Sequence, residues 1–122
     1  MKISYGKNVY GKPEINAVIN QLKKTTQMGR SVAVFEKKIS KLFAKKYGLM
    51  VNSGSSANLL ALASLNLKKG DEVITPTLTF STTVAPIYQL GLTPHFIDVD
   101  KFSFVANIDQ IKKAINKNTK VI

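Results

Sequence analysis

Cysteine is absent from this sequence of 122 residues, and arginine and histidine occur once each, as Arg30 and His95. The missing cysteines exclude a disulfide framework and every metal site built from thiolates, and we assign no metal ligand. No apolar run approaches the ~18 residues of a membrane span, and the residues after Met1 lack the apolar core of a secretory signal. We therefore expect a cytoplasmic protein that makes no membrane contact.

Acidic residues are also few, and the formal net charge of +11 raises the question of nucleic-acid binding. A nucleic-acid module clusters its basic residues on one face and uses arginine to read base edges or to hold phosphates. Here the basic residues are spread from Lys2 to Lys120, and Arg30 is the only arginine. The pattern favours solvated lysine-rich faces and an acidic substrate, and leaves a lysine-rich nucleic-acid-binding domain as a distant alternative.

Neither a Walker phosphate loop nor a GxGxxG dinucleotide fingerprint occurs in the sequence. The run Gly54–Asn58 approaches the G-x-S-x-G elbow of serine hydrolases, but Asn58 replaces the second glycine. The general base would have to be His95 or lie outside this chain, and an edge-strand position with its ring in solvent is the more common role for such a histidine. A hydrolase with Ser56 as nucleophile is therefore a weaker alternative.

The hydrophobic pattern predicts an α/β fold, with a mostly parallel sheet and helices on both of its faces. Apolar residues at helical spacing predict a first helix from Pro13 to Leu22, and a second helix that Ser31 caps and Gly48 ends. The remaining predicted elements are a strand at 49–51, a buried helix from 57 to 67, a strand at 71–75, a short or kinked helix around Pro86, a strand at 94–100, a helix after an Asn107–Gln110 capping box, and a strand from 119 to 122.

The turn at residues 52–56, Asn-Ser-Gly-Ser-Ser, carries the clearest chemical signal. A glycine turn that opens directly into a helix exposes free backbone N–H groups at the positive end of the helix dipole, and serine hydroxyls add further donors. Such a turn can bind a phosphate, and we call Gly54, Ser55 and Ser56 the phosphate cradle. The same residues also suit an ordinary helix cap, and their spacing alone does not decide between the two interpretations.

Several segments of the chain fit one family pattern in order and spacing. They are TTQMG at 25–29, Phe35-Glu36, VNSGSSANLL at 51–60, KGDEVITP at 69–76, TFSTT at 79–83 and FIDVD at 96–100. Together these segments resemble the DegT/StrS family of nucleotide-sugar aminotransferases. The resemblance implies the aspartate-aminotransferase fold (fold type I of the pyridoxal-phosphate enzymes), pyridoxal 5'-phosphate as cofactor, and a homodimer with its active sites at the subunit interface.

The resemblance also implies roles for individual residues. In this family a Gly-Ser/Thr turn at a helix start holds the cofactor phosphate, and that role falls on Gly54, Ser55 and Ser56. An aromatic ring stacks on the pyridine ring, and its position here is Phe80, where many members have Trp or Tyr.

The residues that perform the chemistry are expected beyond Ile122. These are the lysine that forms the Schiff base and the aspartate that pairs with the pyridine nitrogen. We therefore interpret Asp98 and Asp100 as turn residues at a strand end, and we assign no catalytic residue in this chain. From this chain alone we expect no transaminase activity.

A strand that stops at Ile122 leaves one face of a parallel sheet without a covering helix, whereas such sheets are normally covered on both faces. We therefore interpret residues 1–122 as a single partial domain. Residues 1–30 would form the N-terminal helix and a loop on the substrate side. Residues 31–122 would begin the large domain that binds the cofactor.

The implied reaction is transfer of an amino group, with glutamate as the expected donor, to a nucleotide-linked keto-sugar for cell-surface polysaccharide or a related glycoconjugate. A subgroup of the family consists of 3-dehydratases that act on nucleotide-linked 4-keto-6-deoxy sugars and carry histidine in place of the Schiff-base lysine. The segments at 26–29 and 52–60 resemble that subgroup at least as well. We favour the aminotransferase because it is the larger class, and the dehydratase stays open.

Overall fold

The computed structural model describes residues 6–27 and 29–122. It divides into two compact units, residues 1–50 and residues 51–122. The elements are α1 (Lys12–Leu22), α2 (Arg30–Leu42), α3 (Gly54–Ala63), β1 (Glu72–Pro76), α4 (Ser81–Gln89), β2 (Thr93–Ile97), α5 (Ile108–Ala114) and β3 (Thr119–Val121). None of the helices in the two described ranges is long and apolar enough to cross a membrane.

The N-terminal unit contains the two helices expected from the sequence, with one difference in capping. At the start of α1 the Gly11 N–H donates to the Glu14 carboxylate at 2.7 Å, which satisfies a backbone donor at the helix end. α2 begins after Gly29, and Ser31 lies inside its first turn. The predicted Ser31 cap is wrong because that hydroxyl donates instead to the Gln21 side chain at 2.9 Å.

Gly48 does not end the second helix as predicted. α2 stops at Leu42, and the chain then turns through Ala44, whose φ is 51°. A Cβ at Gly48 would lie 2.9 Å from the Glu36 carbonyl oxygen, closer than real Cβ contacts allow. The glycine is therefore needed where the returning chain passes close to the backbone of α2.

Replacing Gly48 with alanine should destabilise the N-terminal unit, because the new methyl group would meet a helix backbone atom that cannot rotate away. We expect the free energy of unfolding to fall by about 1–3 kcal/mol, as is usual for overpacking. Urea denaturation of the complete protein measures this change. Gly6→Ala is the control, because a Cβ there meets none of the described residues within 4 Å, and equal stability of the two variants would contradict the close approach.

The strand predicted at residues 49–51 is not formed. The Met50 N–H donates to the Glu36 carboxylate at 2.8 Å, and not to a neighbouring strand. The sheet in the described ranges contains only β1, β2 and β3. The prediction is wrong because a strand needs a partner for its backbone groups, and an apolar run does not provide one.

The C-terminal unit is built on a parallel sheet with strand order β2-β1-β3. Val73 packs with Ile87 of α4 on one face of the sheet. Ile74 packs with Ile97 and with Ala114 of α5 on the other face. The predicted α/β architecture, with a parallel sheet and helices on both faces, is confirmed.

Two predicted elements of this unit are longer than the observed ones. α3 ends at Ala63, because the chain leaves the helix and turns at Asn66, whose φ is 50°. The helix is also not buried as expected: Leu62 packs against the sheet, whereas Leu60 is 48% exposed. β2 ends at Ile97, because the chain beyond it pairs through Val99 in an isolated antiparallel bridge.

Asn107 caps α5 as predicted. Its Oδ1 accepts hydrogen bonds from the N–H groups of Asp109 and Gln110, at 3.0 and 3.1 Å. The second half of the expected capping box is missing, because Gln110 Oε1 accepts a hydrogen bond from the Asp98 N–H at 2.7 Å. The side chain that was expected to close the cap instead joins α5 to the end of β2.

Glu72 connects the amino ends of the strands. Its Oε2 accepts a hydrogen bond from Asn116 Nδ2 at 2.7 Å and lies 3.3 Å from His95 Nδ1. The hydrogen bond from Asn116, followed by that from His95, lowers the pKa of Glu72 below its ordinary value of 4.5. The edge position predicted for His95 is confirmed, since β2 is an edge strand and the side chain is 40% exposed.

The lowered pKa of Glu72 predicts a pH-dependent contribution to stability. A carboxyl whose pKa falls on folding stabilises the fold above its unfolded pKa, and this contribution disappears as the pH drops from about 4.5 through the folded pKa. Glu72→Gln should therefore lower the melting temperature at about pH 7, and the difference from wild type should vanish as the pH falls below the folded pKa of Glu72. Asp109→Asn, at an exposed carboxylate in the first turn of α5 that lies 3.7 Å from Lys112 Nζ, is the control. A pH-independent difference for Glu72→Gln would count against this account.

Candidate phosphate and cofactor site

The first turn of α3 leaves two backbone donors free. Ser53 is the N-cap, and its Oγ accepts a hydrogen bond from the Ser56 N–H at 3.1 Å. The Ala57 N–H donates to the Ser53 carbonyl. Within the described residues, the N–H groups of Gly54 and Ser55 have no acceptor. These two donors lie at the positive end of the helix dipole, which is a suitable place for an anion.

The serine hydroxyls at the start of α3 differ in their partners. Ser56 Oγ donates to Asn52 Oδ1 at 2.7 Å, and Ser53 Oγ lies 3.1 Å from Ser56 Oγ. Ser55 Oγ makes no hydrogen bond within residues 6–27 and 29–122. Of these hydroxyls, only that of Ser55 is free to bind a ligand. The acceptor role of Asn52 was missed in the sequence, although its place just before the Ser-Gly-Ser turn was a signal.

Gly54, the first residue of α3, has open space where a side chain would be. A Cβ at this position would meet nothing within 4 Å in the described chain, and the φ of Gly54 is not in the left-handed region. Neither packing nor backbone conformation therefore explains the glycine. A glycine at a helix start lets a ligand approach the backbone closely, so the cradle fits a phosphate group.

Phe80 lies immediately before α4, in the loop that follows the carboxyl end of β1. A single Phe near a strand end would ordinarily belong to the core, but this residue is 70% exposed. An exposed flat ring provides an apolar surface on which a planar ligand can stack. The structure therefore leaves the face expected for the pyridine ring accessible.

A hydrogen bond connects α3 to the first turn of α4, where Pro86 leaves a carbonyl without its helical donor. Because proline has no N–H, the carbonyl of Thr82, four residues earlier, has no helical donor. Asn58 Nδ2 of α3 donates to that carbonyl at 3.4 Å. A groove of about 190 Å³, lined by residues that include Ser55 and Ser56, lies between the two helices. The short helix predicted around Pro86 is confirmed, whereas its link to Asn58 was missed.

A second groove, of about 320 Å³, lies along β1 and is lined mainly by apolar side chains of α3, α4 and the last residues of the chain. Thr75 Oγ1 is buried there with no hydrogen-bond partner in the described part of the chain. An apolar lining of this kind suits apolar side chains and offers almost no donors to an anion. The phosphate cradle is therefore the better candidate for a phosphate.

Asp98 and Asp100 are turn residues, as interpreted from the sequence. Asp98 Oδ1 accepts a hydrogen bond from the Val99 N–H at 2.8 Å. Asp100 Oδ1 accepts hydrogen bonds from the N–H groups of Ser103 and Phe102, at 2.9 and 3.0 Å. These backbone donors, Ser103 first, lower the pKa of Asp100. Both carboxylates are thus engaged in local turns.

Ser56 and His95 are not paired in the structure. The Ser56 hydroxyl donates to Asn52, and His95 Nδ1 lies next to Glu72 at the amino end of β1. A serine nucleophile needs a base within hydrogen-bond reach. The described residues therefore give no support to the serine-hydrolase alternative.

The loop at residues 25–29 joins α1 to α2 in the N-terminal unit. Met28, part of the family pattern in this loop, lies outside the described residues, as do residues 1–5. The position of the loop on the substrate side stays a prediction.

The sequence pattern of the DegT/DnrJ/EryC1/StrS aminotransferase family matches residues 9–122. The chain belongs to this family. A GDP-4-keto-6-deoxy-D-mannose 3-dehydratase from Yersinia pseudotuberculosis is 45% identical over 101 residues, which are 78% of this chain and 26% of the relative. A UDP-N-acetyl-3-dehydro-alpha-D-glucosamine 3-aminotransferase from Acidithiobacillus ferrooxidans is 37% identical over 95 residues, with the same two coverages.

Structural comparison agrees with this membership of the DegT/DnrJ/EryC1/StrS family. The structure of E. coli GDP-4-keto-6-deoxy-D-mannose-3-dehydratase with bound hydrated PLP has a TM-score of 0.87 and 36% identity, over 94% of this chain and 32% of that chain. The predicted family and aminotransferase fold are confirmed. The chain spans only 26% of the curated relatives named above, and the roles of Gly54, Ser55, Ser56 and Phe80 stay predictions.

Proposed function

We propose that this chain forms the phosphate-binding end of a pyridoxal-phosphate enzyme that acts on a nucleotide-linked keto-sugar. The observation that carries the proposal is the start of α3, where the N–H groups of Gly54 and Ser55 have no acceptor among the described residues and a Cβ at Gly54 would meet none of those residues within 4 Å. Family membership and the PLP bound to the E. coli relative support it. Activity, substrates and partners are proposed for the complete protein.

Each proposed cofactor residue has a distinct task. Gly54 and Ser55 donate hydrogen bonds to the cofactor phosphate, and Ser56 completes the turn that positions them. The dipole of α3 favours the negative charge at the same point. Phe80 covers one face of the pyridine ring and keeps water from it. Bound pyridoxal phosphate supplies the electron sink for the reaction, and we assign no catalytic residue in this chain.

The aminotransferase is the first candidate reaction. In it, an amino group from glutamate replaces the keto oxygen of a nucleotide-linked sugar destined for cell-surface polysaccharide or a related glycoconjugate. The A. ferrooxidans relative, a 3-aminotransferase, supports this candidate. With it we propose a cytoplasmic homodimer that does not bind nucleic acid.

A 3-dehydratase is the second candidate, and one observation favours it. At the same 78% coverage of this chain, identity is 45% to the Yersinia 3-dehydratase and 37% to the 3-aminotransferase. The candidates share the cradle and the stacking face, so both use the residues described here in the same way.

One experiment tests the proposal and separates the two reactions. The complete protein is freed of cofactor, titrated with pyridoxal phosphate, and then incubated with glutamate and a nucleotide-linked 4-keto-6-deoxy sugar. Mass spectrometry of the sugar distinguishes a product that has gained an amino group from a 3-deoxy product without nitrogen. Failure to bind pyridoxal phosphate, together with tight and salt-sensitive binding of duplex DNA, would overturn the proposal.

A further inference from the structure

The hydroxyl hydrogens at the start of α3 can be assigned from the distances between their oxygens. Each serine hydroxyl has one hydrogen and can donate one hydrogen bond. Ser56 Oγ lies 2.7 Å from Asn52 Oδ1, the shortest contact in the group. Ser53 Oγ lies 3.1 Å from Ser56 Oγ and 3.4 Å from Asn52 Oδ1. Ser56 therefore donates its hydrogen to Asn52 Oδ1, and Ser53 donates its hydrogen to Ser56 Oγ, the nearer of its two acceptors. The Asn52 carbonyl is the terminal acceptor of this network.

This network leaves Ser56 with no donor for a phosphate. Its hydroxyl donates to Asn52, and its N–H donates to Ser53 Oγ at 3.1 Å. Gly54 and Ser55, in contrast, have no acceptor for their N–H groups in the described part of the chain. The residues at the start of α3 therefore have two roles: Ser53 and Ser56 form the helix cap, and Gly54 and Ser55 stay open to an anion.

We propose that Asn52 is a positioning residue for the phosphate cradle and acts through the Ser56 hydroxyl. By holding that hydroxyl it fixes the first turn of α3, so that the N–H groups of Gly54 and Ser55 converge on one point. Asn52 is exposed, and its side chain makes no other hydrogen bond within the described ranges. Packing therefore does not explain why an asparagine occupies this position. The inference rests on the proposed function, because its readout is phosphate binding.

A double-mutant cycle on the complete protein tests this role. Asn52→Ala, Ser56→Ala and the double variant are titrated with pyridoxal phosphate and with pyridoxal, which has no phosphate. We expect Asn52→Ala to raise the Kd for pyridoxal phosphate about tenfold and that for pyridoxal by less than about twofold. In the Ser56→Ala background, Asn52→Ala should have almost no further effect, because residues that act through one another are not additive.

The results that would overturn the role of Asn52 differ from those that would overturn the proposed function. Additive losses in the cycle, or equal losses for pyridoxal phosphate and pyridoxal, would overturn the positioning role of Asn52. Ser55→Ala provides the contrast, because a residue that contacts the phosphate directly should add its loss to that of Asn52→Ala. If the unmodified protein does not prefer pyridoxal phosphate to pyridoxal, the proposed function itself is wrong.

Discussion

Replacing Gly54 with alanine should weaken pyridoxal-phosphate binding by about tenfold to a hundredfold without destabilising the fold. We expect the added methyl group to keep the phosphate from approaching the N–H groups of Gly54 and Ser55 closely, because a glycine at a helix start lets a ligand come near the backbone. Hydrogen bonds to a charged group contribute about 1.5–3 kcal/mol each, so the loss of one is enough for this effect. Stability should be unchanged or slightly higher, since alanine is the better helix former and its Cβ would meet nothing within 4 Å in residues 6–27 and 29–122.

The two glycines that the structure explains differently provide a matched comparison. Gly48→Ala should lower stability through its contact with Glu36, whereas Gly54→Ala should lower only cofactor affinity. Isothermal titration with pyridoxal phosphate and urea denaturation of both variants give the four values needed. A destabilised Gly54→Ala, or one that binds pyridoxal phosphate normally, would contradict the assignment of this space to the phosphate.

The sequence was sufficient to predict those elements that local patterns determine. α1 follows from apolar spacing that ends at Leu22, and the cap of α5 follows from the short polar side chain of Asn107. The errors lie where a distant residue decides the outcome. The Ser31 hydroxyl does not cap α2 because it donates to the Gln21 side chain. Residues 49–51 do not form a strand, and the Met50 N–H donates to a side chain of α2 instead.

The candidate site was predictable to a similar extent. A Gly-Ser turn at a helix start is a local feature, and the sequence alone is enough to predict Gly54 and Ser55 as phosphate-binding residues. It could not separate Ser55 from Ser56, because that difference depends on where each hydroxyl hydrogen is directed. Stacking by Phe80 was implied by family resemblance, and the structure adds that its ring is exposed.

Replacing Phe80 with alanine should weaken cofactor binding by about tenfold or more and leave stability almost unchanged. The effect on stability should be small because the residue is 70% exposed. Stacking of a planar ring on an aromatic side chain contributes about 1–3 kcal/mol. Phe80→Tyr keeps a flat ring and should retain most of the affinity. Phe102→Ala, at a residue 79% exposed in another turn, should have no effect.

The choice of ligand distinguishes the role of Phe80 from that of Gly54. Stacking involves the pyridine ring, which pyridoxal and pyridoxal phosphate share, so Phe80→Ala should weaken the binding of both by a similar factor. Gly54→Ala should weaken only the phosphate form, because the cradle contacts nothing else. If Phe80→Ala leaves pyridoxal binding unchanged, the ring does not stack on the cofactor. An exposed Phe80 would then have to be explained by contacts that the complete protein makes at this position.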